Sequence, residues 1–408
     1  MGSIFEGGRE KLDEGCSRES QFALRCNSAM VTELSPSGSS AERDGGRFAP
    51  AWRVLEGAIA ARAFPGCAFG ALAGNEIVLQ GALGHLTYDE GAPKVLPETA
   101  YDIASLTKVV ATTAAAMLLF QRGLLDLDTP LGELLPGFVV GRAPGDLARH
   151  VKLRHLLAHN SGLPGYVEFY RTATTPAALF RACLELPLEA KPGVRAEYSD
   201  PGFILLGKAL EVRTREYLAT WVRHEIFEPI WLSATGFCPP PSARPGIPPT
   251  EEDRSLRHRR IQGEVQDEHA WLLKGAAGHA GLFSNVPDLL RFAREILKAS
   301  SGASSASVQF GLFEPATVDL FAQRQGPDGS SRALGWDTPS ANSSAGRFFS
   351  TRSIGHLGYS GCSLWIDLEA HVAVVLLTNR TWPDRTAVST QLIREVRPVF
   401  HDAVREAL

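Results

Sequence analysis

The chain has 408 residues, 44% of them apolar, with a formal charge of −4 and a pI near 6.3. That much apolar material buries a large core and excludes wholesale disorder, while the slight acidity offers no footing for nucleic acid or an anionic membrane. The longest apolar run, residues 109–120, is too short to span a bilayer and holds two threonines, so it reads as a buried core helix rather than a transmembrane segment.

Residues 1–47 are polar and show no sustained period, which predicts a poorly ordered extension. The first residues lack an apolar signal segment, so the expected location is cytoplasmic, changing to periplasmic or secreted if the true start lies elsewhere. Cys16, Cys26, Cys67, Cys183, Cys238 and Cys362 form no CxxC pair and read as buried or incidental thiols. Trp52, Leu55, Ile59 and Ala60 fall at helical spacing, and Pro65-Gly66 ends that segment. Two apolar runs, 67–72 and 77–83, separated by Ala-Gly-Asn-Glu, follow the grammar of a hairpin. A long helix is expected from near Ser105 to Gly123.

From there to about residue 335 the pattern is mostly helical with long loops. A short helix covers 153–158 and stops at Ser161-Gly162, and another covers 203–210. Leu289, Leu290, Ala293, Ile296 and Leu297 form one face of a third, with Ser284 or Asn285 as its cap. A Pro-rich loop spans 239–249 and a Ser/Ala/Gly linker 299–307. Strands return at 363–368 and 371–378, the second (VAVVLLT) apolar enough to be central, and an amphipathic helix over 388–407 follows. The expected fold is α/β (α+β): an antiparallel sheet flanked by terminal helices, with an all-helical domain inserted. Residues 48–104 plus 335–408 make the sheet domain and 105–334 the helical one, with the active site at their interface.

Ser105-Leu106-Thr107-Lys108 places a serine three residues before a lysine, on one helical face. An ordinary serine hydroxyl is a poor nucleophile and needs a base or a cation nearby, and a helix start favours developing negative charge. Tyr198, in Tyr-Ser-Asp-Pro-Gly, is a candidate proton carrier whose phenolate a lysine would make more accessible. Gly355-His356-Leu357-Gly358-Tyr359-Ser360-Gly361 precedes a strand, where a backbone N–H can serve an oxyanion. His155 and His159 stand at metal-ligand spacing but lack a third ligand and read as a hydrogen-bonded structural pair; no metal or cofactor is expected. No G-x-S-x-G or phosphate-binding loop occurs, and His279 receives no role.

Together these motifs resemble the serine β-lactamase and penicillin-binding superfamily, in its class C-like branch of β-lactamases, D-Ala-D-Ala carboxypeptidases and related esterases. The stretches TAYDIASLTK, LRHLLAHNSGLPGY, YSDPGFILLGKALE, GEVQDEHAW, GHAGLFS and HLGYSGCSLWID carry the likeness from about residue 99 to 367. The resemblance implies a β-lactamase/transpeptidase-like fold, with Ser105 as the acylated nucleophile, Lys108 as its partner and Tyr198 as general base. It also implies an oxyanion hole from the N–H groups of Ser105 and Tyr359. His356-Leu357-Gly358 stands where the family's β-lactamases have Lys-Thr-Gly, and Asp200 where Asn is usual. Both departures weaken recognition of a substrate carboxylate. The implied function is a serine hydrolase acting on a small ester, amide or peptide. A β-lactamase or D-Ala-D-Ala carboxypeptidase is the alternative, and a catalytically silent peptide-binding or self-associating protein the alternative of another class. Sequence leaves the oligomeric state open.

Overall fold

The computed structural model describes residues 46–300 and 311–408. Most of the expected N-terminal extension, Cys16 and Cys26, and most of the 299–307 linker therefore lie outside the described residues. Helix α1 (Ala49–Ala60) leads into the hairpin of β1 (Gly66–Ala73) and β2 (Glu76–Gly84). The turn between them uses Gly74 at φ +59°, which glycine adopts without a Cβ clash. Next come α2 (Ala114–Gln121), α3 (Asp200–Thr214) and α4 (Val286–Ser300). The chain closes with β3 (Ser353–Leu357), β4 (Ser363–Asp367), β5 (Val372–Thr378) and α5 (Ala387–Glu406).

The five strands form one antiparallel sheet in the order β2-β1-β5-β4-β3. Chain-distant strands meet at its centre, with Cys67 opposite Thr378 and Ala73 opposite Val372. Period-two alternation explains why β5 is apolar throughout. Val372, Val374 and Leu376 enter a core under α1 and α5, while Ala373, Val375 and Leu377 enter the larger core shared with α4 and the helical region. On the first side, Phe69 meets Trp52 and Phe400 edge-on, with ring centres 4.7 and 5.7 Å away. On the second, Gly70 lets Val286 and Leu290 of α4 settle on the sheet, since a Cβ there would lie 2.7 Å from Val286. Asn285 caps α4 by accepting the Asp288 N–H at 3.0 Å.

The stretch 104–121 is apolar enough to cross a membrane by length and composition alone, but it is mostly buried in the larger core. Cys67, Cys183 and Cys362 are buried thiols.

The Gly-rich stretch divides between strand and turn: residues 355–357 lie in the edge strand β3, where His356 pairs with Leu364, and Gly355 lies under Trp365, where a Cβ would come within 2.3 Å of the ring. The β3–β4 turn is braced from α5. Buried Arg397 donates to the carbonyls of Gly358 (2.8 Å), Cys362 (2.9 Å) and Gly361 (3.1 Å). Replacing Arg397 with Met strands these acceptors and is expected to lower unfolding free energy by roughly 2–4 kcal/mol in urea titration. An unchanged midpoint would show that the brace carries no stability.

Candidate active site

The short strand Tyr101–Asp102 pairs with Leu282–Ser284 and delivers the chain to Ser105. Asp102 is buried and accepts two backbone N–H groups, from Ala104 at 2.9 Å and Gln266 at 2.7 Å. Burial pushes its carboxyl up to about 6 in spite of these two donors. Ala104 holds φ +48°, a left-handed conformation that strains a residue with a Cβ. The Asp102 acceptor fixes this strained link directly before the serine.

Ser105 then sits in a 3₁₀ turn (Ala104–Leu106), and Lys108 opens a π-helical segment (Lys108–Thr113) rather than an α-helix. At three residues per turn, side chains at i and i+3 eclipse, so Ser105 and Lys108 line up more closely than an α-helical face would align them. Thr107 secures the turn by donating to the Ala104 carbonyl at 2.6 Å and accepting the Leu282 N–H at 3.1 Å.

Lys108 is fully buried, and all three ammonium protons have acceptors. These are Ser105 Oγ at 3.0 Å, Asp200 Oδ1 at 2.6 Å and the His279 carbonyl at 3.2 Å. Burial opposes its charge, but the Asp200 carboxylate overcomes that and holds its pKa above the ordinary lysine value. The ammonium also lies 4.8 Å from the centre of the Tyr198 ring.

Tyr198 comes from the start of α3, which Ser199 caps by accepting the Gly202 N–H at 3.1 Å. Lys108 and Ser105 both favour the ionised form of its phenol. The direction of its shift departs from the sequence reading: burial raises the phenol pKa, Asp200 adds to that, and Lys108 offsets it only in part. The resting group is a neutral phenol. His159 packs against Tyr198 at a tilt of 37°, with ring centres 4.5 Å apart, and accepts the Ser199 N–H on Nδ1 at 3.0 Å. His155 instead accepts the Lys152 N–H at 3.1 Å. The two histidines therefore anchor separate backbone segments and do not bond each other.

His356 is buried, its ring centre 5.8 Å from that of Tyr198, and its Nδ1–H donates to the Leu357 carbonyl at 2.8 Å. Burial, then Lys108 and Arg332, hold its pKa well below 6.5, so it faces the site as a neutral ring. Leu357 is partly buried. Gly358 packs against Ile103, where a Cβ would lie 2.5 Å from the carbonyl oxygen, and Ser360 donates to the Asp102 carbonyl at 2.8 Å. These contacts set the turn carrying Tyr359 beside the turn carrying Ser105. Tyr359 is exposed, with the Arg380 guanidinium 4.4 Å over its ring.

Ser105, Lys108, Tyr198, Asp200 and His356 thus converge, and Leu357, Gly358 and Tyr359 flank them. Sequence reasoning passed over His159 as a support for the tyrosine, Asp102 beneath the serine turn, and Arg332, whose guanidinium lies 5.2 Å over the Tyr198 ring. Asp102 falls inside the quoted TAYDIASLTK stretch; Arg332 lies in a loop that carries no periodic signal.

Residues 52–397 match the Beta-lactamase family model. An N-acetylmuramyl-L-alanine amidase of Bacillus subtilis is 30% identical over 360 residues, covering 80% of each chain. A Salmonella typhimurium protein named as a D-alanyl-D-alanine carboxypeptidase is 31% identical over 339 residues, covering 75% of this chain and 76% of its own. In fold, the chain is similar to EstCE1, a hydrolase with promiscuous acyltransferase activity. That match has a TM-score of 0.67 at 23% identity and covers 88% of this chain and 99% of that one.

Asp200→Asn removes the anion nearest the buried ammonium and is expected to cost roughly 2–4 kcal/mol of stability at neutral pH, measured by urea denaturation. Lys108 has a raised folded pKa, so its stabilising contribution is complete below the unfolded value of 10.5 and fades above it. The gap between wild type and variant should therefore narrow at strongly alkaline pH. A gap that is absent at neutral pH would contradict the assigned ion pair.

Proposed function

The chain belongs to the beta-lactamase family, and from that premise we propose that it is a serine hydrolase working through an acyl-enzyme at Ser105 on a small ester, amide or peptide. The observation that carries this reading is the 3.0 Å contact between Lys108 Nζ and Ser105 Oγ, made in the same cluster as Tyr198.

Ser105 Oγ attacks the substrate carbonyl carbon. Its proton passes to the Tyr198 oxygen as Tyr198 gives its own proton to the leaving group, so the phenol relays a proton without resting as a phenolate. Lys108 stays an ammonium and offsets the negative charge that grows on Ser105 and Tyr198. The N–H groups of Ser105 and Tyr359 receive the carbonyl oxygen as it becomes anionic. Water then attacks the ester of Ser105, the relay runs in reverse, and the acid product leaves. Asp200 and neutral His356 disfavour a substrate carboxylate at the Lys-Thr-Gly position, which argues against efficient β-lactam turnover. A second reading, cleavage of a peptide or amide of cell-wall type, draws support from the amidase and carboxypeptidase relatives. Arg332, beside Tyr198, adds a cation on its side.

A fluorophosphonate probe should label the native protein and fail on Ser105→Ala; equal labelling of both would refute the nucleophile assignment. Tyr198→Phe should lower kcat/KM on p-nitrophenyl esters by about 10²–10⁴-fold, the range of a lost proton carrier. Nitrocefin and a D-Ala-D-Ala peptide in the same assay rank the substrate classes.

The pH profile should fall at its acid side as Asp102 protonates through about 6 and loosens its hold on Ala104. Activity should persist through about pH 9, because Lys108 and Tyr198 both sit above their ordinary values of 10.5 and 10.0. An optimum at mildly acidic pH would contradict this ordering.

A further inference from the structure

Asp267, His269 and His279 lie behind Lys108 and take no part in the proton path. Asp267 opens the short helix Glu268–Leu272 by accepting the Ala270 N–H on Oδ1 at 2.8 Å, and the same oxygen lies 2.8 Å from His279 Nε2. One donor atom from each of the three side chains falls within 4.8 Å of the others.

His269 is fully buried among the rings of Tyr166, Phe169 and Tyr170, with centres 5.2, 5.5 and 5.8 Å away. Neither of its nitrogens makes a hydrogen bond of good geometry, although the Val167 backbone is close enough to favour its charged form. His279 is buried too, and its Nε2 is the nitrogen that faces Asp267. An unpartnered buried polar group costs about 1–3 kcal/mol, and such groups are rare enough to need a cause.

We propose that Asp267, His269 and His279 form a binding site for a zinc-class divalent cation. Two imidazoles and a carboxylate are a donor set for a borderline first-row metal, and three protein ligands leave one position for water. A tetrahedral ion with bonds of about 2.1 Å places its donors roughly 3.4 Å apart. The 2.8 Å between Asp267 and His279 and the 4.8 Å limit on the other separations bracket that spacing.

Asp267 brings the ion's balancing carboxylate, while Glu268 beside it pairs with Arg385 at 2.9 Å and Asp200 pairs with Lys108 at 2.6 Å. The site also has a mechanical link to the cluster in front of it. The His279 carbonyl accepts a hydrogen bond from Lys108 Nζ at 3.2 Å, so an ion on the His279 ring pins the backbone that positions the ammonium. The proposal does not depend on the hydrolase reading, because its readout is binding.

The test strips the full chain with a chelator and titrates Zn²⁺ by calorimetry. The native protein should bind one equivalent at this site, and His269→Gln and Asp267→Asn should each weaken it by about 100-fold, while Ser105→Ala binds like the native chain. Native protein that takes up no zinc, or a folded His269→Gln variant with native affinity, overturns the proposal. If the variants do not fold, Co²⁺ loaded into the native chain decides. Intense visible bands of tetrahedral nitrogen–oxygen coordination support the site. A spectrum like that of the hydrated ion, or a thiolate charge-transfer band placing the metal on a cysteine, overturns it.

Discussion

An ammonium stripped of water costs several kcal/mol unless acceptors replace its hydration. Lys108 is fully buried, and three acceptors from three distant parts of the chain meet that requirement: the Ser105 hydroxyl, the Asp200 carboxylate and the His279 carbonyl. The fold must bring residue 105, the start of α3 and the loop before Leu282 to one point. A change that separates them leaves a buried charge uncompensated. The same geometry supplies a cation beside a hydroxyl and a phenol, so the stability requirement and the proposed chemistry share their atoms.

The rest of the structure serves that point from two sides. The sheet supplies a rigid edge: β3 carries His356, and the turn after it is held by Arg397 from α5 and by Ser360 on the Asp102 carbonyl. The helical region supplies Tyr198, steadied by His159 beneath its ring. Between them the strained Ala104 and the 3₁₀ and π segments aim Ser105 and Lys108 at each other. Irregular helix here is where local strain is stored, and the buried Asp102 carboxylate is the group that holds it.

Much of this was legible in the amino-acid order, for identifiable reasons. Strong periods marked α1, the β1–β2 hairpin, β5 and α5, whose ends fall within two residues or so of the expected ones. The Ser105–Lys108 spacing was visible because both residues belong to one turn; Tyr198 and His356 stood out in their own short motifs, and the family likeness joined them to the serine. Other features depend on tertiary contacts that no local pattern encodes. β3 is short and carries a glycine, and it is a strand because it pairs with β4, whose Trp365 covers Gly355. The sign of the Tyr198 shift depends on how deeply the ring is buried, which spacing cannot report. Asp267 and His279 stand twelve residues apart, and only the fold brings their side chains to 2.8 Å.

The central claim is that Lys108 is a fixed cation at working pH, with the phenol moving the protons. Carbon-13 labelling of lysine side chains and an NMR pH titration measure this directly, with Lys108→Met identifying the signal. The account predicts that the Lys108 resonance keeps its charged-state shift through neutral pH and titrates only above 10.5. A Lys108 signal already in its neutral form near pH 7 would make the lysine the base and contradict the account.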